Sequence, residues 1–132
     1  MSAALAQNAP LPSDIVKTFI AAIARKDFDA ALRFVAEDVE YENMPMAKVH
    51  GHAGMRAVLE PFLAPTLEND FIVLREAAHG ETVFLERLDR HRLADRWVEL
   101  PVTGVWEVRG GKITLWRDYF DLATIMKEWP TA

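Results

Sequence analysis

An α+β domain is the fold this sequence predicts, with a strongly bent β-sheet wrapped by helices around a pocket. Three observations carry the expectation. Apolar residues recur at helical spacing early in the chain and at strand spacing through its second half. Short glycine turns join the strand-like runs, as in hairpins. Polar side chains also recur on strand faces that are otherwise apolar, which suits the lining of a pocket.

The bulk properties set limits. The chain has 132 residues, of which 51% are apolar and 27% charged, ordinary values for a globular protein. Residues 13–132 are read as one domain with one core. A formal charge of -5 argues against nucleic acid or an anionic membrane as partner. With no cysteine, disulfides, thiolate nucleophiles and thiolate metal sites are excluded. Met1 to Pro12 are mostly small or polar, without a basic start or a continuous apolar run, and are expected to form a disordered tail. No apolar run approaches the ~18 residues of a membrane-spanning helix, so a cytoplasmic location is expected.

The elements follow in order. Ser13 is the expected cap of a first helix, with Ile15, Phe19 and Ile23 at four-residue spacing. Asp27 caps a shorter helix carrying Phe28, Ala31, Leu32 and Val35. Val39, Tyr41 and Asn43 share one face of a short strand whose other face, Asp38, Glu40 and Glu42, reads as solvated. A loop then leads to a helix from about Ala53 to Leu63, which Pro61 is expected to kink or shorten. Phe71 to Ala77 and Thr82 to His91 read as a hairpin through Gly80. Arg96 to Val108 reads as a long strand with a bend or bulge at Pro101. Gly110-Gly111 turns it into Lys112 to Phe120, a strand expected to be covered on both faces. In strict alternation Thr114, Trp116, Asp118 and Phe120 oppose Ile113, Leu115, Arg117 and Tyr119. Asp121 caps a last helix whose Met126 and Trp129 are expected in the core.

Three sets of polar residues stand out. Tyr41 and Asn43 share a strand face, as do Arg87 and Asp89, the latter with Val83 and Leu85. Asp118 lies between Trp116 and Phe120. On one concave surface they would supply two carboxylates, a guanidinium, a phenol and an amide. An arginine between two carboxylates in a dry site leaves one ionised and one protonated, a base and an acid. Tyr41 and Asn43 would orient a water, and the set describes hydrolysis without a covalent intermediate. Pattern alone leaves an alternative open: Arg87 and Asp89 as a plain cross-strand ion pair, and Asp118 bonded to Arg117 or to the backbone.

Tyr41-Glu42-Asn43-Met44-Pro45, then Glu86-Arg87-Leu88-Asp89, then Gly111-Lys112-Ile113 leading into Trp116-Arg117-Asp118-Tyr119-Phe120-Asp121 resemble the limonene-1,2-epoxide hydrolase family. The resemblance runs from about Ser13 to Trp129, with Gly104-Val105 and Val49 to Leu59 also fitting. It implies the cone-shaped fold of nuclear transport factor 2 and ketosteroid isomerase, with a curved mixed sheet, a deep pocket and homodimers through the sheet. It implies Asp118 as general base on water, Asp89 as general acid on the epoxide oxygen, Arg87 as the bridge, and Tyr41 and Asn43 as further holders of the water. No metal or cofactor is required, because ring strain supplies the driving force. Val83, Leu85, Leu100, Val102, Trp116 and Phe120 would form an apolar pocket for a small cyclic or terpene-like epoxide, opened to a trans-diol. The charged Arg90 to Val98 connection matches none of these motifs and is where the pocket rim would differ.

Other signals are weaker. His50 and His52 are read as wet loop histidines, since no third metal ligand is near. His91 is read as the wet end of its strand. A ketosteroid-isomerase-like isomerase or a polyketide cyclase on the same fold is the first rival reading, disfavoured by two carboxylates around one arginine. A non-catalytic binding module is the second.

Overall fold

A computed structural model describes residues 10–130. Of the tail expected over residues 1–12, residues 1–9 lie outside the described residues, while Leu11 and Pro12 belong to the start of the first helix rather than to a tail. In α1 (Pro12–Ala24), Leu11 holds the N-cap position without a side-chain hydrogen bond and Pro12 opens the helix. Proline suits that position, since its φ is preset and its missing N–H would be unpaired anyway. Ser13 is therefore not the cap but a buried residue of the first turn. The apolar stripe Ile15, Val16, Phe19, Ile20 and Ile23 is buried as its spacing requires. Asp27 caps α2 (Phe28–Leu32), accepting from the Ala30 amide at 3.1 Å. The helix ends before Val35, which instead begins β1.

A six-stranded sheet follows. Its members are β1 (Val35–Met44), β2 (Val49–His50), β3 (Glu68–His79), β4 (Thr82–Arg92), β5 (Trp97–Arg109) and β6 (Lys112–Phe120). Spatial order is β2-β1-β6-β5-β4-β3. β1 runs parallel to β6 and every other pair is antiparallel, so the sheet is mixed. Register shifts around Leu74 in β3 and Thr114 in β6 each leave one residue unpaired, which bends a strand and increases its twist. The shift at Thr114 also breaks the expected alternation: Ile113 and Trp116 are both buried. Nor is β6 covered on both faces. Tyr119 is 46% exposed, and Arg117 donates to Glu40 and Glu42, so those acids are ion-paired rather than simply solvated. Pro101 makes no bulge. It lies in regular register opposite Leu88, while β6 pairs no further than Val102. Proline thus has a strand neighbour on one side only, an edge-like setting that tolerates a missing N–H.

Helices cover the concave face. α1 packs against β3 to β6, and α3 (Gly51–Leu63) against β1 and β2. Pro61 does not end α3, which runs on to Leu63. His50 is exposed, but His52 belongs to the first turn of α3, with Nε2 2.9 Å from the Val35 carbonyl oxygen. A carbonyl only accepts, so that nitrogen donates, and the two histidines do not form a wet loop pair. Among the described residues no three His, Cys, Asp or Glu side chains are grouped to hold a metal. α4 (Leu122–Glu128) is capped by Asp121 but buries none of its residues, and Met126 is exposed rather than in the core. Trp129 stacks on Phe62 with centroids 4.3 Å apart and donates to the Phe62 carbonyl at 3.1 Å. No helix among the described residues is long and apolar enough to cross a membrane.

Candidate active site

Register explains how two carboxylates on different strands meet one guanidinium. Asp118 on β6 stands opposite Gly104 on β5, and Gly104 stands opposite Leu85 on β4. Arg87, two residues along β4, must reach across β5 to touch Asp118. It does so through the space a side chain at position 104 would fill. A Cβ built there would collide with Asp118 Oδ1 and lie 2.7 Å from both Arg87 Nη1 and a ring carbon of Trp106. A glycine inside a strand marks such a close approach.

The guanidinium then engages both acids. Arg87 Nε and Nη2 donate to the two oxygens of Asp89 at 3.0 and 2.9 Å. Nη1 and Nη2 donate to the two oxygens of Asp118 at 3.1 and 3.0 Å. Both interactions are bidentate, the geometry that planar guanidinium favours. Asp118 accepts a third bond, from Trp116 Nε1 at 2.7 Å. All three residues are buried. Burial opposes the charge of Arg87 more than any other single effect, yet the two carboxylates together hold it more firmly protonated than usual. Burial likewise dominates at Asp89, raising its carboxyl above the ordinary range despite the arginine, with Asp118 adding repulsion. Asp89 is thus the acid that tends to keep its proton.

Tyr41 and Asn43 complete the group from β1. Asn43 pairs in register with Asp118, and Tyr41 with Trp116. The Asn43 amide donates to Tyr41 Oη at 2.9 Å, leaving the phenol proton free to donate. Burial pushes the Tyr41 phenol far above its usual range, so it remains protonated. Its ring stacks on Trp116 at 4.4 Å, and Trp116 stacks on Trp106 at 5.8 Å, a ladder of rings across β1, β6 and β5 that supports the polar row beside it.

These side chains open on a cavity of about 340 Å³. Tyr41, Asn43, Arg87, Asp89 and Asp118 all line it, as do Leu100, Val102, Trp116 and Phe120. Val83 and Leu85, expected in the pocket wall, do not: both are fully buried in the apolar core beneath the sheet. The helical side of the cavity was missed in the sequence. Leu59 and Phe62 come from α3, and Leu122 and Ile125 from α4. His91 is a further correction: it is 1% exposed and lines the cavity. Its parity with Arg87 and Asp89 was the available signal. Arg90 and Arg92 of the charged connection belong to β4.

A sequence model described as the limonene-1,2-epoxide hydrolase catalytic domain matches residues 10–131. The chain belongs to this family. Epoxide hydrolase EphG of Mycobacterium tuberculosis is 34% identical over 113 residues, which cover 85% of this chain and 74% of that protein. The solved structure of an M. tuberculosis LEH-like epoxide hydrolase aligns with a TM-score of 0.73 and 32% identity, over 86% of this chain and 84% of the other. A SnoaL-like chain from Shewanella putrefaciens aligns with a TM-score of 0.80 at 16% identity, over 93% of this chain and 88% of the other, and shows the fold alone. The expected curved mixed sheet of the limonene-1,2-epoxide hydrolase family is thus the observed one.

Proposed function

We propose that this epoxide hydrolase opens a small, apolar cyclic or terpene-like epoxide to a trans-diol in one general acid/base step. The observation that carries the reading is the bridge from Arg87 to both Asp89 and Asp118, with Asp89 inclined to keep its proton. Asp118 takes a proton from water while the water oxygen bonds to a ring carbon. The C–O bond on the far face breaks, and Asp89 gives its proton to the departing oxygen. Attack opposite the leaving oxygen produces the trans relation. Tyr41 donates to the water and the Asn43 carbonyl oxygen accepts from it, leaving one water lone pair for the carbon. Return of the proton from Asp118 to Asp89 resets the site. This needs neither metal nor cofactor.

The test is turnover of limonene oxide and cyclohexene oxide without added metal. Wild type is expected to give trans-diol. Asp118→Asn, folded by circular dichroism, is expected to lose about 10²- to 10⁴-fold in kcat, the contribution of a general base. A folded Asp118→Asn protein with undiminished turnover would remove the base assignment. We also read the outer face of the sheet as the contact of a homodimer, on the family resemblance and on the apolar residues exposed there.

A further inference from the structure

One buried titratable side chain in the cavity has no part in the reaction just described. His91 Nδ1 lies 2.6 Å from Asn69 Oδ1. A directed chain of hydrogen bonds fixes which partner donates. The carbonyl oxygens of Ala24 and Leu63 can only accept. Thr66 Oγ1 donates to the Leu63 oxygen at 2.7 Å, so it accepts from Asn69 Nδ2 at 3.0 Å. Asn69 Nδ2 also donates to the Ala24 oxygen at 3.2 Å. Both amide hydrogens of Asn69 are then committed, its Oδ1 faces the histidine, and His91 Nδ1 must carry the ring proton. Nε2 is left as an acceptor. No donor among the described residues is bonded to it, although His91 lines the cavity. Around the ring stand Phe62, Phe71 and Trp129, each within 5.8 Å between centroids and each nearly perpendicular to it. The only polar hydrogen on those walls, the Trp129 indole N–H, is already given to the Phe62 carbonyl.

We propose that His91 Nε2 is a substrate-binding acceptor, and that the preferred epoxide carries a hydroxyl group on its apolar skeleton. This rests on the hydrolase reading above. His91 follows Asp89 by two residues on one strand face, so the hydroxyl sits roughly 7 Å from the acid that protonates the epoxide. A buried acceptor left unpaired by a plain hydrocarbon epoxide penalises that substrate against its hydroxylated counterpart.

The experiment compares epoxyhexane, the epoxyhexanol with its hydroxyl on the terminal carbon farthest from the ring, and the methyl ether of that alcohol. For wild type, kcat/KM is expected to be about tenfold or more higher for the alcohol than for the other two. His91→Leu is expected to bring the three values together. Equal wild-type values, or a preference that survives in the variant, overturns the proposal. Should the variant not fold, ring ¹⁵N resonances of wild-type His91 decide. Nδ1 is expected to be protonated and Nε2 not, and saturating hexanol to shift Nε2. The opposite tautomer, or no response to hexanol, overturns it. Hexanol is no epoxide, so this readout stands even if no epoxide is turned over, and the two readings fail separately.

Discussion

Gly104 decides whether Arg87 reaches Asp118. The alternation of polar residues along β4 and β6 was legible in the sequence, because a strand places every second side chain on one face. That the two strands are separated by β5, and that the guanidinium passes over a glycine to cross it, was not, since register between strands is not written in either strand alone. Gly104→Ala puts a methyl group against Asp118, Arg87 and Trp106. Urea unfolding is expected to show a loss of about 1–3 kcal/mol, the usual cost of overpacking, and kcat to fall at least about tenfold as the bridge opens. A Gly104→Ala protein with wild-type values of both would refute the crossing argument. His91 was misplaced for a related reason: its parity pointed inward, but its nearness to the strand end suggested water. Its burial, aided by the charge of Arg87, lowers its pKa from 6.5 to about 4. The unfolded chain takes up that proton at about 6.5 and the folded one does not until about 4. The stability it contributes is therefore full above pH 6.5 and is lost as pH falls toward 4. Asp89 has the opposite sign: its raised pKa favours the folded state at low pH and loses that effect as pH rises through the folded value. Comparing wild type with His91→Leu separates the two. The stability difference between them, from urea unfolding, is expected to shrink by about 2–3 kcal/mol from pH 7 to pH 4, at about 1.4 kcal/mol per decade. A constant difference would contradict the burial argument.

At the scale of elements, most were recognisable from their period, and the errors sit where one residue changes parity or where tertiary contacts override propensity. The bulge at Thr114 brings Ile113 onto the buried side with Trp116. Val35 has an apolar side chain that suits either a helix stripe or a strand, and pairing with Ile113 assigns it to β1. α4 is the clearest case. Its i, i+3, i+4 pattern was real, but what it meets is the cavity rather than the core, through Leu122 and Ile125. It is held there by the Trp129 stack on Phe62, its N–H to the Phe62 carbonyl, the edge contact of Trp129 with His91, and Arg96, which donates to the Glu128 carbonyl and pairs with its carboxylate at 3.5 Å. Trp129→Ala should release this end of the helix. Stability is expected to fall by about 2 kcal/mol, less than for a fully buried tryptophan, and KM for cyclohexene oxide to rise several-fold with kcat nearly unchanged, because the reacting groups lie on β1, β4 and β6. A loss confined to kcat would mean that α4 acts on the chemistry instead of on the binding wall.

The whole molecule has two sheet faces of different character. The concave one is filled by α1, α3 and the cavity. On the other, Phe84 is 48% and Tyr119 46% exposed, with Leu74 at 53% near them on β3. Register puts Phe84 beside Val105 and Leu88 beside Pro101, two apolar pairs across β4 and β5 with Glu86 and Thr103 between them on this face. Four strands about 4.8 Å apart and about ten residues long span roughly 600 Å², near the ~800 Å² that each partner commonly buries in a stable pair. A twofold pairing of this face would be self-complementary, as isologous contacts require. It would also brace the outside of the strands whose inner faces carry Arg87, Asp89 and Asp118. Phe84→Glu places a charge on that surface, near the hairpin end of β4, at a residue that does not line the cavity. Sedimentation velocity at micromolar concentration is expected to show wild type as a dimer and Phe84→Glu as a folded monomer. If the dimer helps to hold the sheet, the monomer's thermal midpoint falls with it and its kcat declines. A monomeric wild type would end the proposed pairing, and a dimer insensitive to Phe84→Glu would move it to another face.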